Sequence, residues 1–201
     1  MLDANVLARA VPRWCAAMHA AAPELNALDG RLGDADLGAT LDKCATLMEQ
    51  ALPVSPASPD SLEGIFKRCA QASAKASGSS FGTLLTVALM TAGKHCAGRE
   101  LLSAQDVAAL LSEVITTLSA RGGAALGDKT VLDGLDAIQR ALSGAAADAP
   151  ALALAGAALR GSLDAFRDKP NRMGRARMFA DKTIGLDDPG MVALLRMVEA
   201  L

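Results

Sequence analysis

A chain of 201 residues is long enough to bury a core, and a formal net charge of −2 gives it no overall bias toward nucleic acid, so any phosphate binding must come from a local arrangement of groups. Its hydrophobic fraction is 51% but its aromatic fraction only 2%, with no tyrosine, which leaves alanine and leucine to fill the interior and favours helices over strands. Asp3, Arg9 and Arg13 interrupt the first apolar stretch and no apolar run reaches the roughly 20 residues of a membrane span; the reading is against a signal peptide or membrane helix and for a soluble, cytoplasmic protein.

Helical periodicity is predicted along most of the chain. The first helix carries Leu7, Val11, Trp14 and Met18 on one face and is predicted to stop near Pro23. A second runs from Gly38 to about Leu52, where the prolines of Pro53-Val54-Ser55-Pro56-Ala57-Ser58-Pro59 forbid continuation, and a third spans about Asp60 to Ala76. Ser77 to Gly82 breaks the pattern before a strongly apolar fourth helix, Thr83 to Lys94, expected to be buried over most of its surface. The fifth is capped by Ser103 with Asp106 as acidic partner and sets Val107, Leu110, Leu111, Val114, Ile115 and Leu118 on one face. The sixth starts at Thr130, paired with Asp133, and carries Val131, Leu135, Ile138 and Leu142. The seventh, about Pro150 to Phe166, is alanine-rich and suited to close packing on both sides. The eighth opens with Asp188 as cap and Pro189 at the first helical position, and carries Met191, Leu194, Leu195, Val198 and Leu201.

Eight helices with short connections predict a single all-α domain over residues 1–201, an eight-helix antiparallel bundle or barrel. Its polar, glycine-containing stretches fall at alternate junctions, residues 29–38, 77–82, 122–130 and 172–190. In an up-and-down arrangement these four share one end. Cys15, Cys44, Cys69 and Cys96 are widely spaced without a CxxC pair and read as reduced structural thiols; His19 and His95 lack the neighbours of a nucleophile and base.

Asp29-Gly30-Arg31-Leu32-Gly33-Asp34-Ala35-Asp36-Leu37-Gly38 puts three carboxylates and three glycines into ten positions. Carboxylates at this density repel one another unless a cation sits among them, and the glycines are expected to make the reversals that aim them at one point. Hard oxygen ligands from one loop suit Mg²⁺ completed by water and substrate phosphate. The alternative is a solvent-facing loop in which Asp36 caps the second helix. An EF-hand is excluded, because with Asp34 first the sixth position is Ala39 and the twelfth Ala45. Ser77-Gly78-Ser79-Ser80 ahead of a helix offers backbone N–H groups and hydroxyls to an anion, or is a plain turn. The chain has no GKS or GKT, so metal or arginine must replace a Walker lysine; Gly127-Asp128-Lys129-Thr130 reads either as part of the site or as a turn and cap. The basic stretch Arg167 to Lys182 is either a solvated face or the source of a phosphate-binding arginine.

In order and spacing, the motifs at Leu28 to Gly38, Ala76 to Thr83, Arg121 to Thr130, Gly174 to Ala176 and Asp188 to Gly190 resemble those of the L subunit of dihydroxyacetone kinase, over nearly the whole chain. The resemblance implies an eight-helix barrel holding ADP or ATP with two Mg²⁺ ions at one end, with Asp29, Asp34 and Asp36 as the metal ligands. By the same matching Gly38, Thr40, Ser77 and Gly78 face the phosphates, Gly122 and Val131 border the base, and Arg175 with Asp188, Pro189 and Gly190 closes over the nucleotide. It implies no catalytic residue on this chain beyond that cradle. The resemblance further implies a separate K subunit that binds dihydroxyacetone through a histidine, with ATP or a phosphocarrier protein acting on bound ADP as the donor. The sequence departs from the family at Leu37 and Thr40, where it usually has His and Asn, and at Ala74-Lys75, where it has Gly-Gly. The rival readings are a non-catalytic ADP-binding regulator or docking protein, and a kinase subunit for another short ketose or an acyl acceptor.

Overall fold

Asp3 opens the first helix by accepting the Val6 N–H at 2.7 Å, and from there the computed structural model is built almost entirely of helices; it describes residues 1–52, 60–76, 78–146 and 149–201. Among the described residues the α-helices are α1 (Ala4–Asp29), α2 (Leu37–Ala51), α3 (Leu62–Ala76), α4 (Ser80–His95), α5 (Ala104–Gly122), α6 (Val131–Ser143), α7 (Ala151–Arg167) and α8 (Pro189–Glu199), with a 3-10 segment at Ala176–Thr183. Two-residue strands β1 (Leu2–Asp3) and β2 (Leu101–Leu102) pair antiparallel, Leu2 opposite Leu102, and pin the start of α1 to the α4–α5 connection. The proline- and serine-rich segment 53–59 lies outside the described residues.

The expected caps form. Ser103 and Asp106 exchange bonds at 2.8 and 3.1 Å. Thr130 N–H donates to Asp133 Oδ2 at 2.8 Å while Thr130 Oγ1 accepts from Leu132 at 3.2 Å. Asp188 Oδ1 accepts from Met191 at 2.8 Å, with Pro189 opening α8. These signals are local, so their geometry follows from sequence.

Each helix packs on the next, and α8 packs back on α1, which closes an all-α antiparallel barrel. Met18, Leu25, Leu41, Cys44, Leu159 and Met191 are fully buried in its main core, and Leu110, Val114, Leu118, Leu132 and Leu135 form a second cluster around α5 and α6. All four cysteines are free and buried; burial pushes the Cys15 thiol up to about 12 and the Cys69 thiol to about 11, which suits structural thiols. Among the described residues no helix is long and apolar enough to cross a membrane.

Two helices differ from expectation. Helix α1 does not stop near Pro23 but runs through Pro12 and Pro23 to Asp29. A proline inside a helix costs about 3 kcal/mol, but Met18, Ala21 and Leu25 are buried on either side of Pro23, and each large apolar side chain buried contributes about 1.5–3 kcal/mol. Packing outweighs the lost hydrogen bond. Helix α4, for all its hydropathy, is fully buried only at Gly82, Ala92 and Gly93, and Met90 is 49% exposed. Its first turns border open space inside the barrel mouth instead of packed side chains.

Outside the core, His19 on α1 spans two carboxylates of α2, with Nδ1 at 2.7 Å from Asp42 and Nε2 at 3.5 Å from Glu49. The hydrogen bond to Asp42 foremost raises its pKa above the ordinary histidine value. The folded state therefore binds the proton more tightly than the unfolded chain, and the resulting stability is full below about pH 6.5 and lost as pH rises through the folded pKa. Thermal unfolding of wild type and His19→Gln is expected to differ most in acid and to converge in base; a difference independent of pH would remove the charge from the explanation.

Candidate functional site

The last turn of α1 sets the site. Because that helix continues through Pro23, its Asn26 and Asp29 reach the first turn of α2: Asp29 Oδ2 accepts the Asp36 N–H at 3.0 Å and the Leu37 N–H at 3.4 Å, and Asn26 Oδ1 accepts from Ala39 at 3.0 Å. The cap of α2 is thus supplied from α1, and Asp36 makes no side-chain cap bond, contrary to the capping alternative. Oxygens of Asp29, Asp34 and Asp36 all lie within 4.8 Å of one another. Burial first, then the carboxylates of Asp34 and Asp29, push the Asp36 carboxyl above its usual range. The Arg175 guanidinium pairs with Asp34. Three clustered carboxylates are a hard-oxygen donor set of the kind Mg²⁺ takes, and the residues fit that ion.

The glycines of this loop do not make its reversal. Gly30 is helical at φ −62°, and the left-handed residue is Ala35 at φ 60°. Gly33 and Gly38 are needed for room: a Cβ on Gly33 would lie 2.6 Å from Asp29 Oδ1, and one on Gly38 would lie 2.0 Å from the Ala22 carbonyl oxygen. Among the described residues the other non-glycine positions at positive φ are Lys129 and Ala180, both in loops of this same end. Backbone strain gathers where the loops converge.

As the alternation of junctions predicts, the four loops meet at one end and border a cavity of about 490 Å³. Asp29, Asp34, Asp36, Gly122, Val131, Arg175, Asp188, Pro189 and Gly190 all line it. Gly38 and Thr40 are not in its wall. Gly38 seats α2 against α1, and Thr40 Oγ1 donates to Ser79 Oγ at 3.1 Å, tying α2 to the start of α4. Gly78 is exposed and outside the wall, and Ser77 lies outside the described residues. The serine-rich turn contributes instead through Ser79, which caps α4 by accepting from Gly82 at 3.2 Å, and through Ser80, Phe81 and Thr83. The signal for these was the same motif, read with the cap two residues later. Arg121 also lines the cavity, beside Gly122.

Of Gly127-Asp128-Lys129-Thr130 only Thr130 reaches the wall. Gly127 sits at φ 98° and donates to Asp133 at 2.6 Å, and Lys129 is buried, so the stretch is a turn and cap. The basic segment divides. Arg167 is held by Asp164 and Asp187 at 2.8 and 2.9 Å, Lys169 lies over the Phe166 ring at 3.9 Å, and Arg175 alone of its arginines faces the carboxylates. Asp188 accepts from Met191 and from Asn171 Nδ2, each at 2.8 Å, and burial pushes its carboxyl up to about 6. His19 and His95 pair with carboxylates away from this cavity.

Comparison with known proteins gives this geometry relatives. Residues 31–201 match the family profile described as DAK2 domain. An L-erythrulose 1-kinase of Mycolicibacterium smegmatis is 28% identical over 182 residues, 89% of this chain and 32% of the relative. A D-erythrulose kinase of the same organism is 25% identical over 195 residues, 95% of this chain and 34% of the relative. The crystal structure of the dihydroxyacetone kinase of C. freundii superposes with a TM-score of 0.76 at 23% identity, covering 98% of this chain and 34% of that one. Its complex with AMP-PNP and Mg²⁺ matches with the same TM-score. The chain spans about a third of the length of these relatives, and the structural likeness shows the all-α fold.

Proposed function

This chain belongs to the DAK2 domain family, and from that premise we propose that it is the nucleotide- and magnesium-binding part of a kinase-type phosphotransferase acting on a short ketose. The observation that carries the reading is the meeting of three carboxylate oxygens within 4.8 Å at the wall of a cavity large enough for a nucleotide. Asp29, Asp34 and Asp36 would hold Mg²⁺, which when bound neutralises charge on the bridging phosphate oxygens. Asp29 is the fixed member, locked by the α2 amides. Arg175 exchanges Asp34 for phosphate oxygens, which a guanidinium meets bidentately. The N-terminus of α4, with Ser79 and Ser80, turns N–H groups and hydroxyls toward the anion, and Thr40 steadies Ser79 from behind. Gly122, Val131 and Leu84 offer an apolar wall to the base, and Asp188, Pro189 and Gly190 complete the rim.

Among the described residues no histidine lines this cavity, which supports a sugar held elsewhere, on a K-type partner subunit. The names of the relatives widen the acceptor from dihydroxyacetone to four-carbon ketoses such as erythrulose. ATP and a phosphocarrier acting on bound ADP use the same cradle. A second reading, a non-catalytic ADP-binding regulator, draws on Leu37, an apolar side chain in the cavity wall beside the carboxylates. Transfer to the ketose on addition of a K subunit separates the two.

Without metal the three aspartates repel the phosphates, so ADP affinity is expected to fall at least about tenfold when Mg²⁺ is chelated. Calorimetric titration with and without chelator measures it. Equal affinity in both conditions would overturn the metal-bridged cradle.

A further inference from the structure

Lys129 is the largest fully buried side chain among the described residues, yet it does not line the cavity. A lysine at that depth ordinarily needs a carboxylate against it. Here the ammonium donates to three main-chain carbonyls, Arg167 at 3.1 Å, Lys169 at 2.7 Å and Thr183 at 2.9 Å, which uses all of its protons, and the nearby carboxylates of Asp188, Asp187 and Asp168 favour its charge. Its backbone is at φ 61°, a conformation that a long side chain adopts only when its surroundings impose it.

The three carbonyls come from both ends of one segment. Arg167 ends α7, Lys169 follows it, and Thr183 lies at the far end of the 3-10 segment. Asn171 draws the same ends together: its Nδ2 donates to the Lys129 carbonyl at 2.9 Å and to Asp188 Oδ2 at 2.8 Å, and its N–H to Thr183 Oγ1 at 2.8 Å. Arg172 N–H adds a bond to the Asp128 carbonyl at 3.0 Å. Between these ties runs Met173 to Ala176, the stretch that lines the cavity and carries Arg175 to Asp34. We propose that Lys129 is a positioning residue for the nucleotide site: by gathering the carbonyls of Arg167, Lys169 and Thr183 it fixes the base of the α7–α8 loop, so that Arg175 faces the aspartate cluster. The proposal rests on the nucleotide reading above.

A neutral, unbranched side chain one atom shorter fills most of the space but strips the three carbonyls of their donor. Lys129→Met in the full chain is therefore expected to weaken Mg²⁺–ADP binding at least about tenfold and to raise hydrogen exchange across residues 168–185. The decisive readout is a double-mutant cycle. Arg175→Ala weakens ADP binding in the wild-type background but adds less than about twofold to Lys129→Met, because the guanidinium is already displaced. A purely structural lysine would lower the unfolding temperature and leave the Arg175 effect intact. Wild-type ADP affinity in folded Lys129→Met, or an undiminished Arg175 effect, would overturn the proposal. Should Lys129→Met fail to fold, Asn171→Ala removes only the amide shared by Lys129 and Asp188, and the same cycle is expected to be non-additive at smaller amplitude; additivity overturns it. A wild-type chain that binds no ADP defeats the nucleotide reading instead. Exchange of the nucleotide-free protein then decides for Lys129, and unchanged protection of residues 168–185 in the variant counts against it.

Discussion

Asp34→Asn is expected to lower phosphoryl transfer, assayed with a K-type partner, by at least about 100-fold, a lower bound set by what removing even a supporting group does to a metal site. Asparagine keeps the shape of the side chain and removes its charge, so the loss falls on the cation and on Arg175. Asp34 is the right member of the cluster to change. Asp29 also caps α2 through Asp36 and Leu37, so its replacement would cost about 1 kcal/mol of stability and blur the reading. Asp34 is exposed and its partner Arg175 is 59% exposed, and an ion pair of that kind contributes little to folding. The unfolding temperature is accordingly expected to stay within about 2 °C of wild type. Turnover near the wild-type rate would remove Asp34 from the ligand set.

Gly38→Ala is expected to destabilise the protein by about 3 kcal/mol, the upper part of the range for overpacking. The new Cβ would stand 2.0 Å from the Ala22 carbonyl oxygen, 2.8 Å from its carbon and 2.8 Å from Asn26 Oδ1. Two of these three atoms are main chain and cannot rotate away, so α1 and α2 must separate. Met18, Leu25, Leu41 and Cys44 are fully buried on those two helices. For a chain of this size the loss corresponds to a fall of about 6–12 °C in Tm. The same separation would stretch the Asp29 bond to Asp36, so metal affinity should drop with stability. A variant that melts with the wild type would show that the helices have room.

The caps were legible because Ser103, Thr130 and Asp188 bond within their own first turns, and no distant group is needed to decide them. The common end of the four loops was legible through parity alone: in an up-and-down chain alternate junctions must fall together. What the sequence hid is decided at a distance. Pro23 reads as a stop until the burial of Met18 and Leu25 is known. The hydropathy of α4 registers apolar side chains but not whether they meet atoms or a cavity. Three glycines around three aspartates suggested that glycine makes the reversals, whereas Gly33 and Gly38 answer to the close approach of Asp29 and Ala22, and Ala35 bears the strain. Thr40 and Gly38 lie behind the cavity wall, Thr40 bonded to Ser79 and Gly38 close against α1, and are not part of it. The partners of Lys129 lie 38 to 54 residues away in sequence, beyond any local pattern.

The closure of the barrel also has a kinetic meaning. Neighbouring helices pair in sequence order around the ring, and such short-range hairpins form early because little chain entropy is lost in making them. The pairing of α8 with α1 joins the two ends of the chain, fastened by Arg196 to both oxygens of Glu24 at 2.9 and 2.7 Å. The cavity straddles this seam, with Asp29 ending α1, Asp34 and Asp36 following it, and Asp188, Pro189 and Gly190 at the start of α8. The mouth is therefore complete only once the ring is sealed, because residues from both sides of the seam border it. Added nucleotide is expected to slow unfolding and leave the early phases of refolding unchanged.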